Sequence, residues 1–588
     1  NPVDKSIPFI LSHRDRHRMI PSNEKIHLFL FHSHRQILIF AKNQQYGTQQ
    51  QQGKKQMMKQ YQDLSLNSKF MGRTLSVIND LSLDEQDYLY SYTRRLKEAV
   101  RSKSDLSPFK IDDPNVGAYL VFVEPSTRTK ESFLNAVKFH HIKTNIFDAV
   151  SSSFNKKESY SDTFRMLTTY SPYSLFIIRT KLEGVTRWLD YDLGLFAERL
   201  GIQKPAIING GDGKHEHPTQ EILDEYTFLE QNNFDRSNIH IALVGDLKHG
   251  RTVHSKANGL KIFKNVRVDL IAPEELAMPE YYKHKMELNG FSVREFESLD
   301  AYLAQGSVAP IWYFTRLQLE RMGEDVLQHV GRLTRSVTFR KEWIDKMKEG
   351  TKFYHPLPRN REYPTIPFFL DKTPLSGWDL QAMNGYYTRA ILIGMLGGRL
   401  GADFKGESPD FSKKKIHYIE EKKHFTSVKK EYKIGTKPVD DGIVIDHIGK
   451  GEDISTIWEH IYKTRRILGL NVVSSHGVYL SHKDGLYKGV LSLPDLEEFD
   501  LIKMKKLSAI APESTLNVIR NGVVIKKIRV HFPPKIYDFD EISCKNPDCI
   551  SHPAHCENAT PYFYKTDANT FICKYCDKDH NYKDIWDI

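Results

Sequence analysis

The feature that most constrains this chain is a repeated handover, from about residue 71 onward, from strand-length apolar runs to polar loops and then to helical periods. Ala118–Glu124 (AYLVFVE) runs into Pro125-Ser126-Thr127-Arg128-Thr129, after which Phe133, Ala136, Val137 and His140 recur at spacings of three and four. Ala206–Asn209 leads into a Gly-rich loop ending at Gln220, and Ile239–Val244 leads into a loop and turn ending at Ser255. Strand periods giving way to helical ones read as βαβ units and a parallel sheet. Ligand sites of such sheets lie at the carboxyl ends of strands, where these loops converge.

Composition removes several alternatives. The 588 residues are 40% hydrophobic and 27% charged, as in a soluble globular protein of about four domains. No uninterrupted apolar run reaches the ~18 residues of a membrane span. Eleven Lys and Arg against four Asp and Glu fall within residues 1–70, which leaves only +3 of the net +10 for the remaining chain. A body so close to neutral argues against nucleic acid as a partner. Residues 1–70 lack a sustained period, carry a Gln-rich patch, and read as an N-terminal extension, disordered or not native, with Met71 as the natural start; a functional basic arm is the rival. His27, His32, His34 and Arg35 break its apolar stretch, against a signal peptide.

The first loop has the composition of an anion site. A helix start offers free N–H groups and the positive end of its dipole. Ser126, Thr127 and Thr129 add hydroxyls, and Arg128 adds a fork that matches phosphate. An ordinary Ser/Thr cap is the plain alternative, which the arginine disfavours. In the second loop, glycines permit close backbone approach, with His217 and Gln220 at the mouth of the next helix.

Taken in order, Ser126-Thr127-Arg128-Thr129, His217-Pro218-Thr219-Gln220, the run Asp246-Leu247-Lys248-His249-Gly250-Arg251-Thr252-Val253-His254-Ser255, Thr315-Arg316-Leu317-Gln318-Leu319-Glu320-Arg321 and His355-Pro356-Leu357-Pro358-Arg359 resemble aspartate carbamoyltransferase over roughly 71–400. The ornithine enzyme usually has Cys where Thr219 stands and a Ser-Met-Gly loop, and this chain has neither. The resemblance implies an α/β fold of two doubly wound parallel-sheet lobes. A carbamoyl-phosphate lobe at 71–218, rejoined by a C-terminal helix at 376–400, would face an aspartate lobe at 219–375. Phosphate would lie on Ser126, Thr127, Arg128 and Thr129, the carbonyl oxygen on Thr129, Arg179 and His217, and the carbamoyl nitrogen on Gln220. Arg251, Arg316 and Gln318 would hold the aspartate carboxylates, with the backbone of Leu357 and Pro358 orienting the amine. Ser153 and Lys157, or Lys156 in its place, would enter a neighbouring subunit's site, so a homotrimer or a multiple of it is implied. No catalytic cofactor and no membrane partner are expected, in a cytoplasmic enzyme of pyrimidine synthesis. A carbamoyltransferase for another amino acid, or an inactive scaffold with a zinc interaction module, are the alternatives.

Beyond a charged linker at 402–432, the segment 433–537 resembles the enzyme's regulatory chain, beginning at Gly442-Ile443-Val444-Ile445-Asp446-His447-Ile448. Strand signals at Gly469–Val473, Lys488–Leu493, Asp500–Met504 and Val523–Val530 read as a small α+β lobe. The resemblance implies that Asp446, His447, Lys503, Asn517 and Lys527 bind a nucleotide effector, CTP or ATP; survival as an assembly module alone is the alternative. All five cysteines fall in the last 45 residues, with Cys544-x₄-Cys549 and Cys573-x₂-Cys576 forming two hooks 23 residues apart. Four thiolates so spaced suit one closed, structural Zn²⁺ site in a small β lobe at 538–588, and Cys556 is left as a free thiol or as a substitute for Cys549.

Overall fold

Strand parity organises the catalytic half. The first sheet contains β1 (Thr74–Leu75), β2 (Val116–Phe122), β3 (Lys143–Phe147), β4 (Tyr173–Thr180) and β5 (Ala206–Asp212), all parallel, in the order β1-β5-β4-β2-β3. Ala118, Leu120, Leu175, Ile177 and Ile208 join one hydrophobic core, whereas Tyr119, Val121, Phe176, Ile178 and Ile207 join another on the opposite face. Burial of both faces is why these strands read as continuous apolar runs and not as alternation. The structure is a computed structural model that describes residues 68–147, 157–409, 417–423, 425, 439–471 and 474–587. Apart from 200–202, these cluster as one compact unit.

Helices α1 (Leu83–Ser102), α2 (Thr127–Phe139), α3 (Tyr160–Thr168) and α4 (Val185–Leu200) alternate with these strands. Ser82 and Glu85 close a capping box on α1, and Lys103 ends it in the left-handed region at φ 55°. Helix α5 (Pro218–Gln231) leads to the second parallel sheet, β6 (Asn238–Val244), β7 (Asn265–Ile271), β8 (Ser292–Phe296), β9 (Ile311–Phe314) and β10 (Lys352–Tyr354), ordered β10-β9-β6-β7-β8. Two four-residue helices, α6 (Arg251–His254) and α7 (Lys256–Gly259), follow β6. Helix α8 (Trp378–Leu396) then crosses back to pack on α1, α2 and α5. The packed chain is already in place ahead of residue 71: Phe70 is fully buried, and Ser68 donates to the Leu400 carbonyl.

The C-terminal part is antiparallel. Six strands, β11 (Ile419–Glu421), β12 (Gly442–Ile448), β13 (Ser475–Leu480), β14 (Tyr487–Pro494), β15 (Thr515–Arg520) and β16 (Val523–Val530), take the order β11-β16-β15-β12-β14-β13. Helices α9 (Ile454–Ile467) and α10 (Leu501–Ile510) share a core with Ile443, Ile445, Leu516 and Val518. Four more strands, β17 (Lys535–Tyr537), β18 (Tyr562–Lys565), β19 (Thr570–Cys573) and β20 (Asp579–Asn581), form the last sheet in sequence order.

Two strand expectations are corrected. Asp500–Met504 is the start of α10, because the Asp500 side chain accepts from the Lys503 N–H and caps a helix. Gly469 is left-handed at φ 61° and stops α9, so the expected strand does not open there; Val472 and Val473 lie outside the described residues, and β13 begins at Ser475. The linker at 402–432 supplies β11 to the edge of the third sheet, paired with β16. Ser153 and Lys156 lie outside the described residues. Among the described residues no helix is long and apolar enough to cross a membrane.

Candidate active site

The carboxyl ends of β2, β5, β6 and β9 open on one cavity of about 890 Å³. Strand β2 delivers Ser126 as the residue preceding α2, extended at φ −159° and with no cap bond from its own side chain. Its hydroxyl and the first N–H groups of α2 therefore remain for an anion, and the first turn carries Arg128 and no acid. Partial desolvation, and then the charge of Arg316, lower the Arg128 pKa from its ordinary value, so the two guanidiniums sense each other across the cavity.

Thr129 and His217 meet behind this helix end, Oγ1 to Nε2 at 3.4 Å. His217 is buried, and burial followed by the charges of Arg179 and Arg251 holds its pKa well below the ordinary imidazole value. A neutral ring keeps one N–H to donate to a substrate oxygen. Arg179, on β4, donates to the Gly210 carbonyl at 3.0 Å and pairs with Glu124 at 3.0 Å. Burial, then Arg251, pull its pKa down to about 9, still charged at neutral pH. Arg251 donates to the Gly213 carbonyl at 2.7 Å and reaches Glu124 at 3.4 Å. Arg316, Gln318, Leu357 and Pro358 line the same cavity, and the Gln318 N–H is anchored by Asp246 at 3.1 Å.

Glu124, Arg321 and Arg389 line the cavity without a role assigned from sequence. Glu124 is the common counter-charge of Arg179, Arg251 and, at 4.0 Å, Arg321. Arg321 also donates to the carbonyls of His249 and Gly213. Arg389 reaches in from α8 and donates to Ser132 on α2 at 2.9 Å. Lys157 is exposed at φ 63° and is not among the lining residues.

In the regulatory-like lobe, register puts Asn517 opposite Val444 and Lys527 opposite Asn517. Pleat parity then sets Asp446, Asn517 and Lys527 on the sheet face away from the helices. Asp446 accepts from the His447 N–H at 2.9 Å and from Tyr479 at 2.7 Å. Lys503 stands apart on α10, its nearest carboxylate Asp500 at 4.0 Å.

The sulfur atoms of Cys544, Cys549, Cys573 and Cys576 all lie within 4.8 Å of one another, buried. Cys544–Cys576 and Cys549–Cys573 separations are 3.7 and 3.9 Å. A tetrahedron with Zn–S bonds of ~2.3 Å needs edges of about 3.8 Å. His580 and Ser551 offer hydrogen bonds to the Cys544 and Cys549 sulfurs at 3.4 and 3.3 Å. Burial pushes the Cys573 thiol well above its ordinary value, the cost a dication removes. The fit is that of structural zinc. Cys556 is exposed and outside the cluster.

This lobe docks on the catalytic half through groups the motifs do not contain. Arg187 pairs with Asp577 at 2.7 Å, and Glu183 accepts from Asn546 at 2.7 Å. Gly184, at φ 79°, lies against Tyr575, where an added Cβ would come within 2.5 Å of it. His215 is held between Asp212 at 3.0 Å and Asp577 at 3.1 Å. Burial opposes its charge, but the two carboxylates outweigh that and raise its pKa well above 6.5. Its contribution to stability is fully present below the ordinary value of about 6.5 and is lost only as pH rises through the raised folded-state value. His215→Ala is therefore expected to cost about 3 kcal/mol at pH 6, from two carboxylates losing their shared cation. Denaturant midpoints of both proteins at pH 6 and at high pH should converge upward in pH; a pH-independent gap refutes the assignment.

Residues 73–230 match the family described as aspartate/ornithine carbamoyltransferase, carbamoyl-P binding domain. Residues 434–531 and 534–586 match the allosteric and the metal binding domains of the aspartate carbamoyltransferase regulatory chain. Protein PyrBI of Thermotoga maritima is 56% identical over 525 residues, which cover 88% of this chain and 99% of that protein. Protein PyrBI of Treponema denticola is 52% identical over 535 residues, 89% of this chain and 99% of its own. The aspartate carbamoyltransferase catalytic subunit of Thermococcus kodakarensis is 34% identical over 337 residues, 56% of this chain and 98% of its own. With both PyrBI proteins matched almost end to end, the chain belongs to the PyrBI family and joins in one polypeptide an aspartate carbamoyltransferase catalytic chain and the allosteric and metal-binding domains of its regulatory chain.

Proposed function

We propose that this chain transfers the carbamoyl group of carbamoyl phosphate to the α-amine of L-aspartate, giving N-carbamoyl-L-aspartate and phosphate for pyrimidine nucleotide synthesis. One observation carries the reading: seven cationic side chains and the free end of α2 line a single cavity against only two carboxylates. That excess suits a phosphorylated donor beside a dicarboxylic acceptor. Phosphate rests on Ser126, Thr127, Arg128 and Thr129. The carbonyl oxygen faces Thr129, Arg179 and His217, and Gln220 faces the carbamoyl nitrogen. Arg251, Arg316 and Gln318 hold the aspartate carboxylates while Leu357 and Pro358 orient its amine. As nitrogen attacks the carbonyl carbon, charge grows on an oxygen that already faces donors, which lowers the barrier without a covalent enzyme intermediate. The bond between the carbonyl carbon and the bridging phosphate oxygen then breaks, the carbonyl re-forms, and the departing phosphate takes the amine proton.

The remaining calls belong to the same reading. Lobes at 71–218 with 376–400, 219–375, 433–537 and 538–588 are the working units. Ser153 with Lys157 or Lys156 completes a neighbour's site in a homotrimer or a multiple of it. CTP or ATP binds the regulatory lobe through Asp446, His447, Lys503, Asn517 and Lys527, supported by the carboxylate and cation on one sheet face. A cytoplasmic setting, which keeps thiols reduced, suits the four-cysteine zinc site.

Product formation from carbamoyl phosphate is expected with aspartate and not with ornithine or N-acetylornithine. The bisubstrate mimic N-phosphonacetyl-L-aspartate is expected to bind tighter than either substrate by 10²-fold or more, read by calorimetry. Turnover with ornithine alone, or no binding of the mimic to the intact assembly, rejects the reading.

A further inference from the structure

The buried hub behind the cavity has a role that the reaction scheme above leaves unassigned. Helix α5 carries Gln220 and Asp224 one turn apart. One oxygen of Asp224 accepts from the Gln220 Nε2 at 2.9 Å and from the Gln381 Nε2 at 2.7 Å. Its other oxygen accepts from the Lys256 Nζ at 2.8 Å. Asp224 and Lys256 are fully buried, so neither has water as a substitute partner.

A carboxylate has no proton to donate, and each amide must therefore turn its NH₂ toward Asp224 and its oxygen away. Gln381 verifies this: its oxygen, so directed, accepts from the His355 N–H at 2.9 Å. Gln220 obeys the same constraint but lines the cavity, so the group it presents there is its oxygen. That oxygen is an acceptor only and calls for a donor on the bound molecule.

We propose that Asp224 is a positioning residue that sets the polarity of the Gln220 amide and so makes the site select an acyl phosphate bearing an N–H, the carbamoyl group, over one bearing a methyl. The inference rests on the assignment of the cavity to carbamoyl phosphate. Lys256 also pairs with Glu221 at 2.6 Å, so its charge stays balanced when Asp224 is neutralised. In Asp224→Asn the asparagine oxygen goes to the Lys256 ammonium and its NH₂ faces both glutamines. The Gln381 amide stays held by the His355 N–H, whereas the Gln220 amide flips to accept from the asparagine NH₂ and offers a donor to the substrate's NH₂.

The test compares kcat/KM for carbamoyl phosphate and acetyl phosphate at saturating aspartate in the full-length protein. In D224N the preference for carbamoyl phosphate is expected to fall by about tenfold to a hundredfold, the value of one hydrogen bond replaced by an unsatisfied donor. A structural role would lower both substrates together and leave the ratio unchanged, which overturns the proposal. Adding Lys256→Met frees the asparagine oxygen for the glutamines and should restore the preference; no restoration counts against it. If D224N does not fold, the ratio in Gln220→Met decides, and an unchanged preference there overturns the proposal. Absence of wild-type turnover with carbamoyl phosphate is the separate result that rejects the underlying reading.

Discussion

Arg128→Ala is expected to lower kcat/KM for carbamoyl phosphate by about 10³-fold or more, with the fold intact. Loss of one preorganised donor to developing charge typically costs ~10²–10³. A guanidinium supplies two donors in one plane together with a full charge. Arg179, Arg251 and Arg321 cannot take over, because they are tied to Glu124 or to backbone carbonyls. Arg128 lies in the first turn of α2 with its side chain in the cavity, and removing it takes no core packing away. Arg128→Lys should recover only part of the loss, since an ammonium keeps the charge without the fork. Steady-state kinetics with circular dichroism as the folding control checks this. A folded R128A protein within tenfold of wild type would mean that the phosphate sits elsewhere.

Much of this site was legible because its residues come in contiguous loops. Ser126 to Thr129, His217 with Gln220, and Arg251 each follow a strand whose apolar run marks its end, and parallel topology does the gathering. The zinc cluster was legible from spacing alone, because two cysteine hooks need no knowledge of the fold. Glu124 was hidden as the polar last residue of an apolar run. Arg389 was hidden within a mostly buried helix, and its reach into the cavity depends on α8 returning to α2. Asp224 looked like any acid on a helix, and its meaning comes from Gln381 and Lys256, both remote in sequence. His215 and Asp577 share no motif and meet only when the last lobe docks. Asp500–Met504 misread as strand because a short apolar pair after an acid suits either state, and the Asp500 cap decides it.

Zinc removal, by chelation or by Cys573→Ser, should affect a different property. Structural zinc contributes about 10–16 kcal/mol of apparent binding free energy in small zinc peptides, comparable to the whole stability of a domain. The last lobe is four short strands around buried thiols, so it is expected to unfold without the metal. Tyr575 would then leave Gly184, and Asp577 would leave Arg187 and His215. The cavity takes no lining residue from this lobe, and kcat is expected to stay within about tenfold of wild type. Hydrogen exchange should rise throughout 538–588 and along 183–188, and zinc per chain should fall from one toward zero in C573S. Cys556→Ser should change neither measure, as its thiol is exposed and outside the cluster. Were zinc-free protein to lose as much turnover as R128A while remaining assembled, the metal lobe would be part of the catalytic machinery, and this division of labour would fail.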